Sequence, residues 1–109
     1  MIDGCRSVIL LRVSLADYRS LLTRGSLALA DDDLFREAVE GALRHELFEG
    51  ERDLGVRCGV SRSQVNRWKN GRSLPMAPAR KAVYALFKRR ATRQLNRLDS
   101  AARTTVLST

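Results

Sequence analysis

The apolar residues of this chain recur mostly at the three- and four-residue spacing of amphipathic helices. One stripe runs from Leu34 to Leu47 and predicts a helix that ends near Phe48, with Gly50 as the break. The acidic run 31–33 precedes this stripe. Acidic side chains at a helix start cap its free amides and complement its dipole, so the helix is expected to begin there.

A longer stripe near the C-terminus runs from Ala79 to Leu98 after a proline-marked segment at 74–78. Basic residues, among them Arg80, occupy much of the remaining helix surface. The early part of this helix is expected to pack in the core, and the later part to extend beyond it. Residues 99–109 have little to bury and are predicted to form a flexible tail.

The N-terminal part combines a strand-like run with a short helical pattern. Residues 7–13 are apolar and rich in β-branched side chains, and they predict a short strand. Its partner would be the same strand of a second subunit, because no other strand is predicted; the alternative is an apolar arm packed on helices. Ser14 is expected to cap a helix over 15–24 that Gly25 stops. We therefore expect residues 1–30 to mediate self-association.

The net charge of +8 is distributed unevenly. Residues 1–61 hold eight Arg or Lys against eleven Asp or Glu, a net charge of −3. Residues 62–109 hold twelve Arg or Lys against one acid, Asp99, a net charge of +11. A basic half of this density attracts a polyphosphate or an anionic membrane surface. The basic half begins directly after Ser61, where a helix with an exposed polar face is predicted. Nucleic acid is therefore the better partner.

Several other classes of protein are not expected. Cys5, Cys58 and His45 form no ligand-spaced cluster, so we expect no metal site and no cofactor. Cys58 is predicted to be a small buried residue, and His45 a packed or surface histidine. Without a nucleophile elbow or a phosphate-binding glycine loop, no catalytic residues and no enzyme activity are expected. No apolar run approaches the roughly 20 residues of a membrane helix, and no signal peptide is predicted, so we expect a cytoplasmic, nucleoid-associated protein without membrane binding.

The most specific local signals lie in the middle of the chain. A short helix is predicted over Glu51–Cys58, with Gly55 where a second helix would cross closely. Gly59 is the expected left-handed turn residue. Ser61 is a good N-cap for the second helix, over about 61–70, and Gly71 is its expected stop.

The second helix has one apolar and one polar face. Val65 and Trp68 are predicted to anchor it in the core, since residues three apart share a helix face. The polar residues near its start have the donor chemistry that reads base edges in the major groove of DNA. The expected base contacts are Arg62, Ser63, Asn66 and Arg67. Gln64 would either complete a capping box with Ser61 or contact a base. The expected phosphate contacts are Arg52, Lys69, Asn70 and Arg72.

The stretch 51–70 resembles the helix-turn-helix of the lambda-repressor-like (Cro/cI) superfamily. The glycines Gly55 and Gly59 fall in the family's register, as do the apolar positions Leu54, Cys58, Val60, Val65 and Trp68. The run 63–69 is locally similar to the recognition helix of the phage lambda CII activator. The family often has Gln where Glu51 and Arg52 stand here. The resemblance implies a compact bundle of four or five helices that binds DNA as a dimer or tetramer.

Together these features predict an all-α, sequence-specific double-stranded DNA-binding transcriptional regulator of phage or mobile-element type. Residues 31–98 would form the DNA-binding domain of a homodimer or higher oligomer. One alternative is a DNA-binding accessory factor for recombination or transposition. Another is a protein-binding adaptor whose acidic N-terminal part binds a partner such as RNA polymerase.

Overall fold

The computed structural model describes the backbone of residues 2–107 and the side chains of residues 9–101. Within residues 2–107 the chain forms five α-helices and no β-strand, which confirms the predicted all-α bundle. The helices are α1 (Ile2–Leu27), α2 (Asp32–Arg44), α3 (Glu51–Cys58), α4 (Arg62–Lys69) and α5 (Ala77–Leu107). None of these described helices combines the length and the apolar character needed to cross a membrane.

All five helices contribute buried side chains to one core. The long helices α1 and α5 pack along each other, and α2 lies against both. The short helices α3 and α4 pack on each other, and α4 also packs on α2. Phe35 of α2 is fully buried, with its ring 5.5 Å from Trp68 in α4 and 5.8 Å from Tyr84 in α5. The core that joins the long helices therefore also holds α4.

The N-terminal run is helical, so the predicted strand over 7–13 is wrong, and so is the N-cap assigned to Ser14. Leu15, Tyr18 and Leu22 lie on one face of α1 and are buried. A helix also satisfies its own backbone hydrogen bonds, which an isolated strand would leave open. The run is not a buried arm either, because four of its apolar side chains are more than half exposed. These are Ile9, Leu10, Leu11 and Val13.

Gly25 does not stop α1, contrary to the prediction, and the helix continues to Leu27. Gly25 follows Leu22 by three residues and extends the buried face of α1. A Cβ at this position would lie 2.5 Å from the ring of Tyr84 in α5. The glycine is therefore required for close packing of two helices and not for ending one.

Asp31 caps α2, as the acidic run predicts, with its Oδ1 accepting a hydrogen bond from the backbone amide three residues later at 3.1 Å. The helix ends at Arg44, earlier than the predicted end near Phe48. Glu46 adopts a left-handed backbone conformation with φ 55°, which turns the chain. Leu47 and Phe48 are nevertheless buried, so a turn completes the apolar face that the pattern assigned to a helix.

Arg80 is buried, although the sequence pattern placed it on the basic surface of α5. Its guanidinium donates to the carbonyl oxygens of Pro75 at 2.6 Å and Leu29 at 3.0 Å. It also donates to the carboxylate of Asp32 at 2.6 Å and lies 5.5 Å from the ring centroid of Phe35. This one side chain therefore ties the start of α5 to α2 and to the connection between α1 and α2.

Residues 99–107, predicted to form a flexible tail, continue α5 as a helix. Asp99 accepts a hydrogen bond from Arg12 of α1, which joins the two long helices in this region. Residues 108–109 lie outside the described part. α1 contributes Leu15, Tyr18 and Leu22 to the core that it shares with the other helices.

Candidate nucleic-acid interface

The turn between α3 and α4 is built on two glycines with different roles. Gly59 is the C-cap of α3 with φ 76°, a left-handed conformation that residues with a Cβ rarely adopt. Gly55 lies inside α3, where a Cβ would lie 2.7 Å from the carbonyl oxygen of Val60. The amide of Val60 donates to the carbonyl of Gly55 at 2.8 Å. Both predicted roles are confirmed, and α3 has the predicted bounds.

Replacing Gly55 by alanine is expected to destabilise the protein by about 1–3 kcal/mol, because the methyl group would overpack against a backbone carbonyl. In a helix without this contact, alanine would be more stable than glycine. A loss of stability in Gly55→Ala would therefore show that the Val60 carbonyl lies close to this position. Urea denaturation followed by circular dichroism measures it. Val56→Ala, at an exposed position of the same helix, is the control. Equal stability of the wild type and Gly55→Ala would show that the turn tolerates a side chain.

α4 is capped and anchored as its sequence predicts. The hydroxyl of Ser61 accepts a hydrogen bond from the backbone amide of Gln64 at 3.1 Å, and Val65 and Trp68 are buried. The side-chain oxygen of Gln64 does not accept a hydrogen bond from the Ser61 amide, so the capping box is not completed; its Nε2 donates to the carbonyl oxygen of Ser73 at 2.9 Å. Gln64 therefore ties the start of α4 to the loop that follows the helix.

The chain folds back over the last turn of α4. Asn70 is the C-cap, and Gly71 follows with φ 73°, as expected of a helix stop. The backbone amide of Arg72 then donates to the carbonyl of Arg67 at 2.7 Å. This turn holds the Arg72 backbone beside the helix.

Five of the predicted DNA-contacting residues line one shallow depression of about 500 Å³. They are Arg62, Ser63, Asn66, Arg67 and Arg72. All five are exposed, and Glu51 of α3 completes the lining. The other face of α4 is buried, so the depression lies on a helix whose orientation the core determines.

Glu51 belongs to this site, although the sequence patterns did not single it out as a functional residue. Its carboxylate accepts a hydrogen bond from Nζ of Lys69 at 2.8 Å and lies 3.6 Å from Nε of Arg62. The hydrogen bond from Lys69 and the positive charges of Lys69 and Arg62 hold the pKa of Glu51 below its ordinary value. Glu51 is therefore ionised at neutral pH and neutralises part of the positive charge around the depression.

The other predicted phosphate contacts lie outside the depression. Lys69 is turned towards Glu51 and lines a neighbouring cleft. The side-chain amide of Asn70 donates to Oδ1 of Asn66 at 3.1 Å, which orients the Asn66 amide. Arg52 is exposed in the first turn of α3. The four predicted base contacts and Arg72 therefore line one depression. The other three predicted phosphate contacts lie outside its lining.

Two residues considered for other chemistry have packing roles. Cys58 is half-buried against the core, and burial raises the pKa of its thiol to about 11. His45 caps the end of α2 with its ring 5.1 Å from that of Tyr18, and burial, together with the charge of Arg44, lowers its pKa. Among the residues with described side chains, no three His, Cys, Asp or Glu are grouped to hold a metal ion. Cys5 lies outside that range.

Comparison of the chain with protein-family models, curated proteins and solved structures finds no match. The similarity of residues 51–70 to Cro/cI-type proteins therefore remains a prediction from the sequence.

Proposed function

We propose that this chain is a sequence-specific double-stranded DNA-binding transcriptional regulator of the Cro/cI helix-turn-helix type, of phage or mobile-element character. The observation that carries the proposal is the exposed depression lined by Arg62, Ser63, Asn66, Arg67 and Arg72. Its helix is eight residues long, or about 12 Å. An α-helix with its side chains is about 10–12 Å in diameter, so α4 fits across the major groove of B-DNA, which is about 12 Å wide.

Each residue of the depression has a chemical role in this proposal. Arg62 and Arg67 donate to the O6 and N7 atoms of guanine, and Asn66 pairs with adenine. Ser63 donates to or accepts from either kind of base, and Arg72 contacts a phosphate. Around the depression, the phosphates are contacted by Arg52, Lys69 and Asn70.

Glu51 gives this face a further property. α4 itself carries no acidic residue. The negative charge nearest to its cations is that of Glu51 in α3, which pairs with Lys69 and Arg62 and so weakens their attraction to phosphates. In the DNA complex, Lys69 exchanges this carboxylate for a phosphate. The exchange lowers non-specific affinity, which depends on phosphate neutralisation, and leaves discrimination to the base contacts.

The proposed regulator acts as a homodimer or higher oligomer in the cytoplasm, at the nucleoid. Two copies place two α4 helices on the half-sites of a palindromic operator. Self-association through residues 1–30 is supported by the exposed apolar side chains of α1 between Ile9 and Val13. RNA polymerase is a further partner of such a regulator when it activates transcription.

Replacing Arg67 by alanine is expected to weaken specific DNA binding by about 1–3 kcal/mol, because the variant loses a bidentate base contact. The binding site is first obtained by selecting bound duplexes from a random-sequence library. Gel shift at constant salt then compares the dissociation constants of the wild type and the variant for that duplex and for a scrambled one.

Arg24→Ala is the matched control, because it removes the same charge from an exposed position in the last turn of α1. It should weaken binding to the selected and scrambled duplexes alike, and only slightly. An Arg67→Ala variant that behaves like Arg24→Ala would reject the proposed recognition face. Footprints that overlap promoters favour a regulator, whereas footprints at the ends of a mobile element favour a recombination accessory factor.

A further inference from the structure

A second basic surface lies between α1 and α5, on helices that do not line the recognition depression. It is a groove of about 630 Å³ whose lining holds four cationic side chains. These are Arg19 of α1 and Lys88, Arg89 and Arg93 of α5. The remaining lining consists of Thr23, Thr92 and Asn96, so no carboxylate takes part. We refer to it as the α1–α5 groove.

The positive charge in the α1–α5 groove is not compensated. None of its four cations forms an ion pair in the described part of the chain. On another side of α5, by contrast, Arg90 and Arg97 line a cleft that contains four acids. Those acids are Glu46, Glu49, Glu51 and Asp53. Clustered cations repel one another, so an uncompensated groove favours a polyanionic ligand.

The spacing of the groove residues fits an extended polyphosphate. Lys88 and Asn96 are eight residues apart on α5, a distance of about 12 Å along the helix axis. One strand of B-DNA carries a phosphate about every 3.4 Å of axis, so the groove spans about three phosphates. Arg, Lys, Thr and Asn are the usual side-chain donors to phosphate. A protein-binding site would have an apolar or aromatic anchor, and the lining contains none.

We propose that the α1–α5 groove is a second phosphate-backbone site, which binds a duplex DNA segment other than the one read by α4. The groove is lined by α1 and α5, whereas the recognition depression is lined by α3, α4 and Arg72, so the two surfaces share no lining residue and no helix. The inference rests on the proposed function for the first DNA segment. It adds that one molecule bridges two segments.

A bridging assay tests the proposal. The selected duplex is fixed to beads, protein is added, and the capture of a second, labelled duplex of unrelated sequence is measured. The groove variant is Arg89→Ala with Arg93→Ala. The control is Lys81→Ala with Arg97→Ala, which removes the same charge from exposed positions of the same helix outside the groove.

The groove variant should stay on the bead-bound duplex as well as the control does. It should capture at least about ten-fold less of the second duplex, because two phosphate contacts and their released counterions are lost. Equal capture by the groove variant and the control would overturn the proposal. So would stronger displacement of the second duplex by poly-glutamate than by inorganic polyphosphate of equal charge, because the groove would then prefer an acidic protein.

A third variant separates this inference from the proposed function. Arg62→Ala with Arg67→Ala should lose retention on the bead-bound selected duplex. Unchanged retention of this variant on the selected duplex would reject the role of α4. The role of the groove is tested separately, by comparing how much of the second duplex the groove variant and its control capture. The two proposals therefore fail on different measurements.

Discussion

Replacing Phe35 by alanine is expected to destabilise the protein by about 3–5 kcal/mol, because the change leaves a cavity where a fully buried ring joins three helices. The ring packs edge-on against Trp68 and Tyr84, and the guanidinium of Arg80 lies over it. Domains of this size are stable by only about 5–15 kcal/mol, so this loss is a large fraction of the free energy of unfolding. Urea denaturation followed by circular dichroism measures the change.

Two further variants show whether the cavity causes this loss. Leu34→Ala truncates the neighbouring, half-exposed residue of the same helix and should cost about 1 kcal/mol. Phe35→Leu keeps an apolar side chain in the site, so its stability should fall between those of Phe35→Ala and Leu34→Ala. A Phe35→Ala variant no less stable than Leu34→Ala would show that Phe35 does not join the helices. Because the ring of Phe35 packs on Trp68 of α4, the Phe35→Ala variant should also weaken the proposed DNA binding through α4.

Replacing Arg80 by methionine is expected to destabilise the protein by about 2–4 kcal/mol, because three charge-assisted hydrogen bonds from one guanidinium are lost together. Methionine keeps an unbranched apolar stem, so the change removes mainly the donors. The carbonyl oxygens of Leu29 and Pro75 lose their arginine donor, whereas the exposed carboxylate of Asp32 remains hydrated. Thermal and urea denaturation measure the loss.

Lys81→Met is the matched control for charge, because Lys81 follows Arg80 in α5 and is exposed. It should change stability by less than about 0.5 kcal/mol. Arg80→Lys should recover only part of the loss, since one ammonium does not reproduce the planar fork that reaches three acceptors. If Arg80→Met and Lys81→Met were equally stable, the buried guanidinium would contribute nothing to the fold.

The predictions for α3 and α4 agree with the structure because their signals are local. A left-handed glycine such as Gly59, an N-cap such as Ser61 and a three-residue apolar spacing at Val65 and Trp68 each act within one or two helical turns. The same locality placed the predicted base contacts on one face of α4. The side-chain bond of Gln64 was missed because its acceptor, Ser73, lies in the loop after the helix.

The wrong predictions concern residues whose state depends on a partner helix. Gly25 has the sequence signature of a helix stop, but the ring of Tyr84 from α5 makes it a packing site. The apolar run 7–13 has the composition of a strand, yet it continues a helix whose face is buried further along. Packing against α5 overrides the local signal at Gly25, whereas the run 7–13 is helical because it continues α1, whose buried face, in the described part, begins at Leu15.

The sequence by itself therefore determined the helical class, the short helices α3 and α4 with the turn between them, and the polar face of α4 on which the proposed DNA contacts lie. Only the tertiary structure decided that Arg80 is buried, that Glu51 pairs with Lys69 and Arg62, and that α1 and α5 form a basic groove. The physical reason is the range of the interactions. Caps, turns and helical periodicity act between neighbours in the chain, whereas ion pairs between helices, buried side chains such as Arg80 and grooves arise between residues that are distant in sequence.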